Sequence, residues 1–252
     1  MKKPHYRNEV IWIIGASSGI GAALAKELAR REATLALSAR RKDALEALRT
    51  SLGDQHKHFV LDVTDAELVS RTAQAIRAAF GRIDRIIFLA AAYTPMKICA
   101  LDLPVTKQMI DVNLLGAFHV VQAVLPILKD QQRGQIALCG SVAGYTGLPG
   151  GQPYSATKAA IINLAESLRS ELPKTIDVKL ISPGFVKSEL TDKNDFKMPM
   201  IISAEQAAHY IADGLSNQAF EMHFPKRFTL WLKLLRLLPY CLTFHITKTL
   251  KT

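Results

Sequence analysis

The stretch VIWIIGASSGIGAALAKELARR, residues 10–31, sets the fold. Val10–Ile14 is a short β-branched run suited to a buried strand, and residues 20–31 are rich in alanine and leucine, which favours a helix. Between them Gly15, Gly19 and Gly21 let the backbone turn tightly and approach a diphosphate, whose charge suits the N-terminus of the following helix. The spacing is G-x-x-x-G-x-G, not the commoner G-x-G-x-x-G, so the strand–turn–helix context carries the reading more than the glycines do.

The same alternation continues outward. Strands are expected at 34–38, 59–61, 85–90, 135–139, 178–181 and 219–224. Helices are expected at 42–52, from Thr64, at about 106–129, at 154–172 and at 203–215. Thr64 with Glu67 and Ser203 with Gln206 have capping-box spacing, and Gly81 is a plausible stop. Pro126 should kink or close the long helix, and Pro173 should end the helix before it. Strand–helix alternation at this spacing implies an α/β chain: a doubly wound parallel sheet of about seven strands with helices on both faces. No repeat or linker divides it. Residues 1–225 read as a single domain, and residues 226–252 as a basic amphipathic C-terminal extension of it. The segment 185–202 lacks clear periodicity; it is either a lid over a site or an ordinary surface excursion.

Composition narrows the class. With 49% hydrophobic residues the chain can bury one sizeable core. Its three cysteines are far apart and show neither metal-ligand spacing nor a disulfide framework, so no metal is expected, and a reducing compartment is. The start is basic and then apolar, but the apolar run is too short for a signal peptide and flows into the glycine turn. The net charge of +10 does not point to nucleic acid, because no aromatic-interleaved basic motif or zinc pattern accompanies it. It is a local feature of the tail: no acid follows Glu221, whereas Lys226, Arg227, Lys233, Arg236, Lys248 and Lys251 do.

A second stretch, SVAGYTGLPGGQPYSATK at residues 141–158, carries candidate chemistry. If Tyr154 opens a helix, Lys158 lies one turn along the same face. A phenol with a pKa of about 10 is a sluggish acid–base group at neutral pH, and a nearby ammonium pulls it toward the working range. Ser141 is then placed to hold a substrate oxygen. At the end of the second strand Ala39 stands where an acid would bind ribose hydroxyls, and Arg40 follows. A planar guanidinium matches phosphate, so NADP(H) is the expected cofactor. Arg41 and Lys42 read as a solvated basic cluster.

Together these motifs resemble the short-chain dehydrogenase/reductase family, over residues 10–188: the GASSGIG turn, Asp62-Val63, Asn113 within VNLLGAF, Ser141, Tyr154 with Lys158, and Pro183-Gly184. The resemblance implies a Rossmann-like fold and an NAD(P)-dependent enzyme interconverting a carbonyl and a secondary alcohol. It implies that Gly15, Ser17, Ser18, Gly19, Ile20 and Gly21 hold the dinucleotide, that Asp62 and Val63 meet the adenine, and that Ala90, Ala91, Pro183, Gly184, Val186 and Ser188 line the nicotinamide half. Tyr154 is implied as acid/base. Lys158 lowers its pKa and holds the ribose, Ser141 binds the carbonyl oxygen, and Asn113 kinks its helix and anchors a proton-relay water. Two positions depart from the family: Ile14 stands for its threonine, and Phe88-Leu89-Ala90-Ala91 for its Asn-Asn-Ala-Gly. A catalytically idle NADP-binding scaffold is the alternative, although it has no need of the intact Asn113, Ser141, Tyr154 and Lys158.

The tail segment FTLWLKLLRLL, residues 228–238, is apolar with Lys233 and Arg236 on one side at helical spacing. Two central charges and Pro239 argue against a spanning helix. It can lie in a membrane interface, cover the substrate pocket or pack on another subunit. By resemblance to family enzymes with apolar extensions, a lipophilic substrate is expected. The same resemblance implies a homo-oligomer, dimer or tetramer, built on the helices around Asn113 and Tyr154. A cytoplasmic location, peripheral to a membrane, fits these expectations.

Overall fold

A computed structural model describes residues 5–195 and 198–249. Its strands are β1 (Val10–Ile14), β2 (Thr34–Ala39), β3 (Lys57–Val60), β4 (Arg85–Phe88), β5 (Gly134–Cys139), β6 (Ile176–Pro183) and β7 (Glu221–Phe224). They form one parallel sheet in the order β3-β2-β1-β4-β5-β6-β7. Strand periodicity divides β1 between two cores. Val10, Trp12 and Ile14 face one side, with α3 (Ala66–Phe80), α5 (Gly116–Gln131) and α6 (Tyr154–Glu171). Ile11 and Ile13 face the other, with α1 (Gly19–Arg30), α2 (Lys42–Leu52) and α7 (Ala204–Gly214). The chain leaves β1 for β2 on one side and later places β4 on the other. This reversal opens a crevice at the carboxyl ends of β1 and β4, where ligands of open α/β sheets bind.

Several boundaries differ from the sequence expectation. Helix α3 is capped by Asp65, whose Oδ1 accepts from Leu68 N at 2.8 Å. Thr64 is instead drawn to Asp62, to which its amide and hydroxyl donate at 3.0 and 2.8 Å. The third strand ends before Leu61, the fourth ends at Phe88, and the last begins at Glu221. The long helix starts earlier than expected, because Asp102 caps it by accepting from Val105 N at 3.0 Å. It runs as α4 (Leu103–Ile110), a wider π turn (Asp111–Leu115) and α5. Pro126 sits inside α5 without closing it. The capping box of Ser203 and Gln206 is formed on α7.

The tail forms two helices, α8 (Lys226–Leu237) and α9 (Tyr240–Thr249). Thr229, Leu232 and Leu235 of α8 are buried. Lys233 does not join Arg236 on an open basic side: it pairs with Glu221 of β7, a carboxylate that also accepts from the Tyr145 hydroxyl. Thr243 of α9 donates back to Leu235 O and Leu238 O, both at 3.3 Å.

Arg31, only 2% exposed, stitches α1 to α7 by pairing with Glu27 and Asp213, each at 2.6 Å, beside His209 Nδ1 at 3.1 Å. Burial alone would raise the Glu27 carboxyl, but hydrogen bonds from Arg30, Arg31 and His209 outweigh it and hold the group at about 2. A depressed carboxylate stabilises the fold above its unfolded value near 4.5, and that contribution is lost as pH falls toward 2. Arg31→Met should therefore lower the unfolding free energy by about 3 kcal/mol at neutral pH, read in urea titrations. Glu27→Gln should flatten the decline of stability between pH 4.5 and 2.

Candidate active site

A cleft of about 520 Å³ lies over the carboxyl ends of β1, β4, β5 and β6. Its floor is the glycine turn. Gly15 has φ +96°, and a Cβ there would lie 2.7 Å from Ala90 N. A Cβ on Gly21 would lie 2.1 Å from Gly15 O. Glycine is therefore required for the turn to fold this closely on itself and on the loop after β4, and α1 points its N-terminus toward the cleft with Ser18 making no side-chain cap. Ser17, Ser18, Gly19 and Ile20 line the same wall.

At one end the cleft is basic. Ala39, Arg40 and Arg41 line it, next to Asp62 and Val63. Arg40 stands exposed at the rim. Arg41 is not merely solvated: it reaches Ser17 Oγ and Ser17 O at 3.4 Å and pairs with Glu189 at 3.3 Å. Asp62 is fixed by the two bonds from Thr64.

The other end gathers Ser141, Tyr154 and Lys158. The turn after β5 delivers Ser141, whose Oγ accepts from Ala143 N at 3.1 Å and so keeps its own O–H to donate. That turn packs tightly on α6: a Cβ on Gly144 would lie 2.7 Å from Ala159 N, and Ser155 Oγ donates to Ala143 O at 2.5 Å. Tyr154 opens α6, and one turn on the buried Lys158 sets Nζ 5.5 Å from the centre of the Tyr154 ring while donating to Cys139 O at 2.7 Å. Burial pushes the Tyr154 phenol well above its ordinary value, helped by the Cys139 thiol, while Ser141 draws it down only in part. Burial likewise pushes Lys158 below its ordinary value. The phenol is thus raised where the sequence reading expected it lowered: the lysine aims at a carbonyl, and loss of water favours the neutral form of both groups.

Asn113 does not line the cleft. It sits behind it, fully buried in the π turn. Its Oδ1 accepts from Ala92 N at 2.6 Å, and its Nδ2 donates to Ala92 O at 2.9 Å and Thr157 Oγ1 at 3.1 Å. Thr157 in turn donates to Tyr154 O at 2.7 Å. The loop after β4, where Phe88-Leu89-Ala90-Ala91 replaces polar residues, is therefore held from outside by one amide. Phe88 is buried in the core, and Ala90 and Ala91 line the cleft.

Pro183, Gly184, Val186 and Ser188 line the remaining wall. The segment that follows is tied down at several points. Val186 bridges Ile202, Lys193 donates to Tyr93 O at 2.8 Å, and the Tyr93 hydroxyl donates to Asn194 Oδ1 at 2.7 Å. The Tyr93 ring meets that of Tyr154 edge-on at 5.0 Å. Tyr93, Arg41, Glu189, Thr191 and Lys193 were not singled out from sequence, yet all line the cleft. Arg41 carried a signal in its place in the basic cluster, and Glu189, Thr191 and Lys193 in the aperiodic segment 185–202; Tyr93 carried none.

Residues 9–198 match the family model described as short chain dehydrogenase. An uncharacterized oxidoreductase of Myxococcus xanthus is 34% identical over 243 residues, covering 95% of each protein. One from Staphylococcus epidermidis is 34% identical over 212 residues, covering 84% of this chain and 92% of its own. Among solved structures, a short chain dehydrogenase/reductase from Burkholderia phymatum in complex with NAD superimposes with a TM-score of 0.83 at 22% identity, covering 93% of this chain and 94% of that one. An alcohol dehydrogenase from the archaeon Thermococcus sibiricus complexed with 5-hydroxy-NADP gives 0.78 at 28% identity, covering 86% and 95%.

Removing the Asn113 amide leaves the Ala92 N–H and C=O without their partner. Asn113→Ala should cost about 2–3 kcal/mol in chemical denaturation, whereas Thr157→Val, which removes one of the three bonds, should cost about 1 kcal/mol.

Proposed function

The chain belongs to the short chain dehydrogenase family, and on that premise we propose that it is an NADP(H)-dependent oxidoreductase interconverting a carbonyl and a secondary alcohol, with Tyr154 as acid/base and a lipophilic substrate. One observation carries the reading: a single cleft has a glycine turn closed to side chains along its floor and Ser141, Tyr154 and Lys158 together at one end.

The residues fit a dinucleotide. The glycine turn and the start of α1 present backbone to a diphosphate. Arg40 and Arg41 offer guanidinium groups to a 2′-phosphate, Asp62 and Val63 border the adenine end, and Ala90, Ala91, Pro183, Gly184, Val186 and Ser188 the nicotinamide end. When bound, the cofactor supplies or accepts hydride. Tyr154, kept protonated by burial, gives its proton to the carbonyl oxygen during reduction and takes it back in oxidation. Ser141, whose hydroxyl also reaches the Tyr154 phenol, donates its hydrogen to the same oxygen. Lys158 stands beside the phenol and donates to Cys139 O, from where its amine would hold the nicotinamide ribose. Both Asn113 amide hydrogens are committed to protein groups, so its side chain positions the site.

Association into a dimer or tetramer through the long helices belongs to the same reading, supported by the exposed Ile110, Leu115 and Phe118 along α4 and α5. The lipophilic substrate and contact of residues 228–238 with a membrane are supported by the apolar character of the tail.

Tyr154→Phe should lower carbonyl-dependent NADPH oxidation about 10²- to 10⁴-fold with NADPH affinity nearly unchanged in calorimetry; surviving activity would sink the mechanism. Replacing Arg40 and Arg41 together by Ala should weaken NADPH about tenfold or more and leave NADH unchanged. Wild-type protein that binds NADH as tightly as NADPH would remove the cofactor preference.

A further inference from the structure

Helix α8 is apolar on two opposite sides. Thr229, Leu232 and Leu235 face inward, whereas Leu230, Trp231, Leu234 and Leu237 are 54%, 47%, 60% and 80% exposed. At about 3.6 residues per turn these four share the side away from the buried three, and Lys226 and Arg227 begin that side. Helix α9, folded back through Thr243, adds the exposed Tyr240 and Phe244, whose rings stack at 5.6 Å. A helix apolar all round is ordinarily buried, and an exposed band of this extent marks a binding surface.

Charge decides between a second copy and a lipid surface. Lys226 and Arg227 are exposed at the start of the band, Lys248 is exposed on α9, and no Asp or Glu follows Glu221. Glu221 itself is engaged by Lys233 and Tyr145. A two-fold contact between copies brings the same patch together with itself, so these cations would meet each other with no acid in the segment to neutralise them. An anionic bilayer supplies that charge, and Trp and Tyr favour its interface. We infer that the outer face of α8 and α9 docks on an anionic lipid surface, both helices lying in the interface plane.

The docking face adjoins the cleft. On the inner side of α8, Phe228 packs on Phe185 at 5.6 Å between ring centres, and a Cβ on Gly184, a cleft residue, would meet the Phe228 ring at 3.0 Å. The docked protein therefore holds its cleft wall about one helix diameter, roughly 10 Å, from the lipid. That this delivers substrate from the bilayer rests on the lipophilic-carbonyl reading above; the docking does not.

The test is co-flotation of the full chain with vesicles of phosphatidylcholine alone or with about one third phosphatidylglycerol, alongside tryptophan emission. Trp12 is fully buried, so a blue shift reports Trp231. The protein should float with the anionic vesicles only, with a blue shift that high salt reverses. Lys226→Gln with Arg227→Gln should weaken partitioning about tenfold, and Leu234→Glu with Leu237→Glu should abolish it, both leaving turnover of a water-soluble carbonyl unchanged. Absence of flotation and of the blue shift overturns the inference. So does a Leu234→Glu variant that splits an oligomer while vesicle binding is absent, which assigns the face to a second copy. Flotation of Tyr154→Phe keeps the two claims separate: lost flotation with retained wild-type turnover defeats only the docking, and activity surviving in Tyr154→Phe defeats only the reaction.

Discussion

One buried amide holds the site in register. Asn113 joins three segments that are distant in sequence: the loop after β4, the π turn of the long helix, and the first turn of α6. The loop it clamps limits the space above Gly15, and the helix turn it clamps carries Tyr154. The floor of the cleft and its acid–base end are thus referenced to a common point. In a low-dielectric interior such a group is stabilising only when every hydrogen bond is made. Here the Ala92 backbone offers a donor and an acceptor together, and Thr157 takes the second hydrogen. This bracing comes from outside the loop, which explains how Phe88 and Leu89 can be apolar.

Burial also sets the electrostatics of the reacting end. Tyr154 and Lys158 sit where neutral forms are favoured, so the phenol keeps its proton and the lysine is the group moved toward neutrality. Position on a helix is a poor guide to such energies. The one-turn spacing of Tyr154 and Lys158 correctly brings them near one another, but the direction of the ammonium is set by the Cys139 carbonyl across the sheet. No local pattern encodes that partner.

The same distinction separates what was legible in the sequence from what was not. The strand at Val10–Ile14, the glycine turn and the helix after it are local, and a continuous apolar run ending in a tight turn can be read directly. The parallel sheet with helices on both faces followed from alternation alone, whereas the strand order and its reversal at β1 came only with the structure. The residues gathered in the cleft were legible because family motifs fall at the carboxyl ends of strands. Competition between neighbours was not: Thr64 had the right spacing for a cap, but its bonds to Asp62 left Asp65 to do the capping. Long-range pairing was equally hidden. Arg41 meets Glu189, Tyr93 meets Asn194, and Lys233 meets Glu221, and none of these pairs has a sequence signature. The second tail helix was missed because Pro239 reads as a stop, whereas it starts a reversal that Thr243 closes.

The Glu221 carboxylate accepts from two sides, from Tyr145 in the turn after β5 and from Lys233 in the tail. That turn begins at Ser141, so the extension and the reacting end share one anchor. The tail is therefore not a detachable module. Grafting it onto a relative, or exchanging it for another, would disturb the turn after β5 along with the surface that the tail presents. The turn and the tail surface would then be inherited as one trait.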